Sequence, residues 1–97
     1  MADRERIGER VRALRTKLGF TQAALGERGG LDRTQVVHLE AGRNHCSTTA
    51  IRRRLAAGFG LSMENVDELL DGDTPIETLH ARCRVDESAA STGGEAA

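Results

Sequence analysis

Residues 20–43, FTQAALGERGGLDRTQVVHLEAGR, limit the fold of this chain more than any other segment. Two short apolar patterns lie on either side of the pair Gly29-Gly30, which is a strong turn signal. Thr21 precedes the first pattern and Asp32 precedes the second, and both residue types are preferred helix N-caps. The segment therefore predicts two short helices joined by a tight glycine turn.

The two helices are expected over about 22–28 and 33–41. Leu25 is the apolar anchor of the first helix. Val36 and Leu39, three residues apart, face the core from the second helix.

The rest of the chain predicts four more helices and no strand. Thr74-Pro75-Ile76-Glu77 is a strong helix start, with the spacing of a capping box and proline at the first helical position. The additional helices are expected over 3–18, from Ser47, Thr48 or Thr49 to near Gly58, from Ser62 to Asp71, and over about 75–84. The sequence therefore predicts an all-α protein.

Length and composition exclude several classes of protein. Ninety-seven residues suit one small domain. The absence of Trp and Tyr predicts an aliphatic core and argues against modules that stack bases on aromatic rings. Two cysteines give no disulfide framework. Neither a signal peptide nor an apolar run of about 20 residues is present, so a cytoplasmic protein without a membrane contact is expected.

The charge is divided unevenly along the chain. Residues 1–60 hold twelve Lys or Arg and six Asp or Glu, whereas residues 61–97 hold two and nine. The basic part is suited to phosphates, and the acidic part either avoids nucleic acid or meets a basic surface. Solvated helix faces are the simpler interpretation of both.

An ordered set of motifs resembles the Cro/C1-type (XRE-like) helix-turn-helix family, the fold of the lambda-repressor-like domains. The motifs are Arg15 within ALRTKLGF, Thr21-Gln22, Leu25, Gly30-Leu31, RTQVVHLEAGR and FGLS followed three residues later by VDELL. The resemblance implies a five-helix bundle over residues 1–72, to which this chain adds a short C-terminal helix over 73–84. Residues 85–97 are expected to be a disordered tail, because they offer little apolar surface to bury.

The resemblance implies that the second helix of the motif enters the major groove of DNA. Its outward residues match the family's base-contacting positions: Arg33, Thr34, Val37 and His38. Arg33 can donate two hydrogen bonds to guanine, and Val37 can touch a thymine methyl. Gln35 suits adenine by its chemistry, but it can instead cap its own helix, since it lies three residues after Asp32.

Other positions match phosphate contacts, which position a protein on DNA without selecting a sequence. Gln22 is expected to bond a phosphate at the start of its helix, with Thr21 assisting. Arg43 and Asn44 follow the second helix of the motif at further contact positions, and Arg10 is an additional candidate.

Two pairs of residues have structural rather than binding interpretations. Arg15 and Glu40 match a family pair that forms a partly buried salt bridge between the first and third helices. Gly26 and Gly29 depart from the family, which usually has Ala and an apolar residue there. Because glycine weakens helices, we expect the second helix to be short and mobile.

No catalytic set of nucleophile, base and acid is visible, so an enzyme is not expected. His45-Cys46 and the pair His80 and Cys83 offer zinc-ligand atoms, but their spacing is unlike that of common zinc fingers. No metal and no cofactor are predicted.

The expected function is sequence-specific binding of double-stranded DNA by a transcriptional regulator, a repressor acting as a homodimer on a pseudo-palindromic operator. The resemblance implies a dimer contact through the fifth helix and the loop after it. The sixth helix, through Ile76, Leu79 and Cys83, either adds to that contact or packs on its own domain. The alternative is an antitoxin or interaction module whose acidic C-terminal half binds a protein partner such as a toxin or a polymerase.

Overall fold

The computed structural model describes residues 3–43 and 48–84, which contain six α-helices and no strand. The all-α prediction is confirmed. The helices are α1 (Asp3–Leu18), α2 (Gln22–Gly29), α3 (Arg33–Glu40), α4 (Thr49–Phe59), α5 (Met63–Asp71) and α6 (Ile76–Arg82). Four sequence predictions lie outside the described residues: the Asn44 contact, the His45-Cys46 pair, the Ser47 cap and the tail over 85–97.

Three helices start at hydroxyl caps that the sequence offered, whereas α6 does not: it begins at Ile76, Pro75 is the residue before it, and the Thr74 hydroxyl donates to Glu68 instead of capping the helix. The hydroxyls of Thr21, Thr48 and Ser62 each accept a backbone N–H in the first turn of α2, α4 and α5, at 3.0, 3.2 and 3.2 Å. Thr48 is therefore the cap of α4 among the three candidates. Gly30, between α2 and α3, and Gly42, after α3, both have a φ of 76°, which glycine adopts without steric cost.

The core is aliphatic except for Phe59, which is fully buried. Val11 and Leu14 of α1, Leu25 of α2 and Val36 of α3 are also 0 % exposed, so all three N-terminal helices contribute to one cluster. This cluster holds α3 in place by its inner side and leaves its outer side to solvent.

Helix α6 packs on its own domain. Leu79 is 0 % exposed and belongs to the same cluster as the residues of α1 to α5, while Ile76 and Cys83 are partly buried against it. After α6, the Arg84 N–H donates to the Gly60 carbonyl at 2.7 Å. The core therefore continues past residue 72. Of the two alternatives for α6, packing on its own domain explains the burial of Leu79.

Two arginines of α1 hold the connection between α5 and α6. The Arg10 guanidinium donates to the carbonyls of Leu69 and Thr74, both at 2.6 Å. Arg6 pairs with Asp73 at 2.5 Å. These bonds anchor the C-terminal helix to the N-terminal one.

Glycines allow close contact between helix backbones. A Cβ on Gly29 would lie 2.5 Å from the Arg54 carbonyl oxygen of α4, and one on Gly26 would lie 2.5 Å from the Leu31 carbonyl oxygen. Both distances are shorter than van der Waals contact, so larger residues cannot fit without moving a backbone. The expectation that these glycines only weaken α2 overlooked this packing, because it considered helix propensity alone.

Gly8 of α1 has the same role, which was not predicted from the sequence. A Cβ there would lie 2.5 Å from the Glu40 carbonyl oxygen and 2.7 Å from that of Leu39. The backbone of α1 therefore lies against the last turn of α3.

Replacing Gly29 with Ala tests whether the glycine at this position raises or lowers the free energy of unfolding. Helix propensity alone would stabilise the protein by about 0.5–1 kcal/mol. Because the added methyl overlaps the Arg54 carbonyl, we instead expect the free energy of unfolding to fall by about 1–3 kcal/mol, as in overpacked cores. Urea denaturation followed by circular dichroism measures the change. Glu27→Ala, at an exposed position of the same helix, is the control and should stay within about 0.5 kcal/mol; a stabilised Gly29→Ala variant would contradict the packing argument.

Candidate nucleic-acid interface

The outer face of α3 carries the residues that the sequence predicted to contact bases. Arg33 and Thr34 are exposed in the first turn, and Val37 and His38 are half-buried one turn later, while Val36 and Leu39 face the core. The Arg33 guanidinium makes no hydrogen bond or ion pair to another described residue. Its donors are therefore available to a ligand.

Gln35 is partly committed to its own helix. The Asp32 N–H donates to Gln35 Oε1 at 2.9 Å, in the geometry of a capping box. Because a two-bond contact with adenine needs both ends of the amide, this bond competes with base recognition. The structure therefore favours the capping alternative, while the Nε2 donors of Gln35 stay exposed.

The start of α2 is suited to an anion. The Thr21 hydroxyl accepts the Ala24 N–H at 3.0 Å. The amides of Gln22 and Ala23 have no acceptor within the helix, as at every helix N-terminus. Thr21 also lines a surface groove together with Arg33, so the start of α2 and the start of α3 are neighbours.

A carboxylate shared by three helices connects these elements. Arg15 of α1 donates to Glu40 of α3 through Nε at 2.6 Å and through a terminal nitrogen at 3.1 Å. Gln22 Nε2 at the start of α2 donates to the same carboxylate at 3.2 Å. The side chains of Arg15 and Glu40 are only 14 % and 4 % exposed. This network sets the position of α3 relative to α1 and to the start of α2.

Arg10 and Arg12 differ in their surroundings. Arg10 donates to carbonyls of α5 and of the following loop, and burial, followed by the charge of Arg6, lowers the pKa of its guanidinium. We therefore assign Arg10 a structural role and do not retain it as a phosphate candidate. Arg12 is exposed and lines one groove with Gln22 and Val37. Arg12 was not among the residues predicted from the sequence, although its place three residues before Arg15 puts it on the same helix face.

Arg43 follows α3 and is exposed. Its backbone N–H donates to the His38 carbonyl at 2.8 Å, which closes the end of the helix. The side chain makes no hydrogen bond or ion pair to another described residue. Arg43 therefore remains a candidate cation at the C-terminal end of α3.

The acidic residues of α5 and its loop pair largely with arginines. Arg52 of α4 contacts Asp67 at 2.6 Å and Asp71 at 3.0 Å. Arg82 contacts Glu68 at 3.2 Å, and Thr74 donates to the same carboxylate. Hydrogen bonding to Thr74, with the nearby Arg82 charge, lowers the pKa of Glu68. Much of the acidic charge of the C-terminal half is thus already paired with arginines of the same chain.

Other chemistries have little support in residues 3–43 and 48–84. No group of three or more His, Cys, Asp or Glu there is arranged to hold a metal ion. Burial raises the pKa of the Cys83 thiol to about 11, so the group is an unreactive thiol near neutral pH. None of the described helices has the length and apolar character that crossing a membrane requires.

Comparison with known proteins identifies the class of this fold and site. A family model described as a helix-turn-helix domain matches residues 6–69. The chain is 30 % identical to the restriction-modification controller protein C.AhdI from Aeromonas hydrophila, over 68 % of this chain and 98 % of that one, with a TM-score of 0.61. It is 33 % identical to the P22 c2 repressor, solved in complex with synthetic operator 9T, over 69 % and 96 % of the two chains, with a TM-score of 0.59.

The chain therefore belongs to the Cro/C1-type (XRE-like) helix-turn-helix family, whose members are DNA-binding transcriptional regulators and not enzymes. A further structure, the clp gene regulator ClgR from Corynebacterium glutamicum, shares the fold at 23 % identity over 77 % of this chain and 96 % of that one, with a TM-score of 0.62. No curated protein sequence gives a significant match.

Removing one partner of the Arg15–Glu40 pair should destabilise the protein strongly. In Glu40→Ala the Arg15 charge stays largely buried without its carboxylate, and we expect a loss of about 3–5 kcal/mol in the free energy of unfolding. The double variant Arg15→Met with Glu40→Leu removes both charges and should lose less than Glu40→Ala alone. Thermal and urea unfolding of the single and double variants provide the test. An unchanged melting temperature in Glu40→Ala would remove the argument for a structural pair.

Proposed function

We propose that this protein binds double-stranded DNA sequence-specifically and represses transcription as a homodimer on a pseudo-palindromic operator. The observation that carries the proposal is the outer face of α3. It presents Arg33, Thr34, Val37 and His38, and the Arg33 guanidinium has no polar partner among the described residues. The inner face of the same helix is fixed by the core and by Glu40.

Base selection is assigned to that face. Arg33, in the first turn of α3, would donate two hydrogen bonds to guanine O6 and N7 in the major groove. Val37 would contact a thymine methyl, and Thr34 and His38 would reach bases or nearby phosphates. Gln35 would contribute mainly through its exposed Nε2, because its Oε1 accepts the Asp32 N–H.

Phosphate contacts are assigned to the residues around the start of α2. The free backbone amide of Gln22 and the Thr21 hydroxyl would bind one phosphate, as helix N-termini commonly do. Gln22 Nε2 already donates to Glu40 and would reach the phosphate only through its second hydrogen. Arg12, on the groove that Gln22 also lines, would add a cation there. Arg43 would bind a second phosphate beyond α3. These contacts would set the register of α3 on the duplex.

A dimer is part of the proposal because one module of this size buries limited area on DNA. Two copies on a symmetric site would place half-site centres about 34 Å apart, or a multiple of that distance. The P22 c2 repressor, bound to its synthetic operator, supports the operator-binding role by its similarity to this chain.

The protein-partner alternative has less support than DNA binding. It relied on the acidic C-terminal half, but Asp67, Asp71 and Glu68 pair with Arg52 and Arg82. Those acids are therefore partly neutralised before any partner arrives.

Selection of bound fragments from a random duplex library, followed by titration of the selected site with salt, tests the proposed function. We expect one enriched pseudo-palindromic sequence and an affinity that falls steeply with salt concentration. Binding that is absent at low salt, or equal for all sequences, would overturn the proposal.

Replacing Arg33 with Ala should weaken discrimination at a single base pair per half-site. Loss of the two hydrogen bonds to guanine is expected to reduce the preference at that position by about 1–3 kcal/mol while leaving the other positions unchanged. Competition binding with every single-base variant of the selected site measures the change. A uniform loss over all positions would instead assign Arg33 to phosphate.

Replacing Arg12 with Ala should lower the affinity for all DNA sequences, unlike Arg33→Ala, which should change the preference at one base pair. We expect weaker binding to every sequence, unchanged base preference, and a salt dependence of log K reduced in slope by about 1.8, the value for two lost phosphate contacts, one in each half-site. Arg82→Ala removes a cation of α6 and is the matched control, whose slope should equal that of the unmodified protein. An unchanged slope in Arg12→Ala would remove this contact from the proposal and leave Arg33 and Gln22 unaffected.

A further inference from the structure

Helices α2 and α4 cross with their backbones in contact. The crossing is centred on Gly29 of α2 and Gly58 of α4, which are both buried. A Cβ added to Gly58 would lie 2.9 Å from Leu25 Cδ1 and 3.5 Å from the Gly29 Cα. The turn that follows Gly29 therefore lies directly against α4, although α4 carries no residue that the proposed function assigns to DNA.

An arginine from each side of this crossing bonds a carbonyl on the other side. Arg28 of α2 donates through Nε to the Gly58 carbonyl at 3.1 Å. In the opposite direction, Arg54 of α4 donates to the Gly30 carbonyl at 2.7 Å. Gly30 is the C-cap of α2 and begins the turn to α3. The second bond therefore connects α4 to the turn of the helix-turn-helix motif.

The turn is bonded on two sides just before α3 begins. On the side of α2, the Gly26 carbonyl accepts the Leu31 N–H at 2.7 Å. On the side of α4, Arg54 holds the Gly30 carbonyl. Arg33 follows as the first residue of α3. Because hydrogen bonds depend on angle and apolar packing does not, these two bonds fix the direction in which the chain enters α3.

The two ends of α3 are held by different groups. Glu40, the last residue of α3, is fixed by its ion pair with Arg15. Arg33 is the first residue of the same helix, and it lies about 10 Å from Glu40 along the helix axis. A small rotation of α3 about its Glu40 end would therefore displace Arg33 most. A two-bond contact with guanine tolerates little displacement, since hydrogen bonds weaken steeply with distance and angle.

We propose that Arg54 is a positioning residue for base recognition: it holds the Gly30 carbonyl and thereby fixes the end of α3 that presents Arg33. The inference rests on the proposed function, in which Arg33 contacts a base. Arg54 is exposed and bonds a carbonyl, not a buried charge. Its removal is therefore expected to change the placement of α3 more than the stability of the fold.

Arg54→Met tests this role, because it removes the donors and keeps most of the aliphatic stem. Affinity for the selected DNA site should fall about three- to tenfold, the range for one lost hydrogen bond. The preference for guanine at the position that Arg33 contacts should fall with it. The slope of log K against log salt should stay that of the unmodified protein, because Arg54 does not neutralise a phosphate. A reduced slope or an unchanged base preference would overturn the proposal.

Arg53→Met is the matched control. Arg53 is the neighbouring residue of α4, is exposed, and makes no hydrogen bond or ion pair to another described residue. The control variant loses the same charge as Arg54→Met but keeps the bond to the turn. It should therefore keep the base preference of the unmodified protein. An equal loss of preference in the two variants would assign the effect to charge and not to positioning.

A double-mutant cycle tests whether Arg54 acts through Arg33. Arg54→Met should weaken binding in the otherwise unmodified protein and have almost no further effect in Arg33→Ala, because the contact that it positions is already absent. An equal loss in both backgrounds would show that Arg54 acts elsewhere and would overturn the proposal. Circular dichroism at the temperature of the binding assay should show every variant folded.

Hydrogen exchange tests the turn without DNA. In Arg54→Met the Leu31 amide should exchange at least about threefold faster than in the unmodified protein, because the turn opens more often. The Val66 amide, which donates to the Ser62 carbonyl at 2.9 Å in α5, is the internal reference and should keep its rate. An unchanged Leu31 rate would overturn the inference. An unmodified protein that binds no DNA would overturn the proposed function and, with it, the role of Arg54 in recognition, whereas a normal base preference in Arg54→Met would overturn that role alone.

Discussion

The position of α3 depends on one nearly buried carboxylate. Glu40 accepts both Arg15 bonds from α1 and the Gln22 bond from the start of α2, so three helices meet at one group. The bonded geometry matters because a charge with 4 % exposure is costly unless it is paired. The same network joins the helix that carries the outward residues to the helix end that is suited to phosphate. A shift of α3 relative to α1 and α2 would therefore break the Arg15–Glu40 and Gln22–Glu40 bonds. These bonds thus help to hold the outer face of α3 in position.

Close backbone contact is the second constraint, and it acts through glycine. Gly8 brings α1 against the last carbonyls of α3, and Gly29 brings α2 against α4. At these points the helices meet backbone to backbone, so any side chain would separate them. The ion pair depends on Gly8: Arg15 reaches Glu40 because Gly8, two turns earlier on α1, allows the two helices to approach. The close packing of the motif thus depends on a small core and on residues with no side chain.

Sequence patterns predicted much of this fold because its helices are short, capped and amphipathic. Thr21, Asp32 and Ser62 mark helix starts through local chemistry, and the apolar spacing in α1 and α3 identifies the buried sides. Contacts between distant residues were harder to predict. Whether Arg10 or Arg12 is available to a phosphate depends on where α5 ends in space, and the roles of Gly26 and Gly29 depend on the approach of a carbonyl. Neither is a property of a local window of sequence.

The arginines show why net charge is an incomplete guide to function. Six of the basic residues in the first sixty positions make structural contacts, with carboxylates or with carbonyl oxygens: Arg6, Arg10, Arg15, Arg28, Arg52 and Arg54. Arg28, for example, donates to the Gly58 carbonyl and stacks over Phe20, with 4.7 Å between its Cζ and the ring centre. Among the arginines of α1 and α3 whose side chains the structure describes, Arg12 and Arg33 have no polar partner in the described part of the chain. An arginine that already pairs within the protein has fewer free donors for a phosphate or a base than an unpaired arginine. The location of Arg12 and Arg33 is therefore more informative about function than the net charge of the chain. Arg33 on the outer face of α3 and Arg12 near the start of α2 thus remain available for DNA, whereas the paired arginines serve the fold.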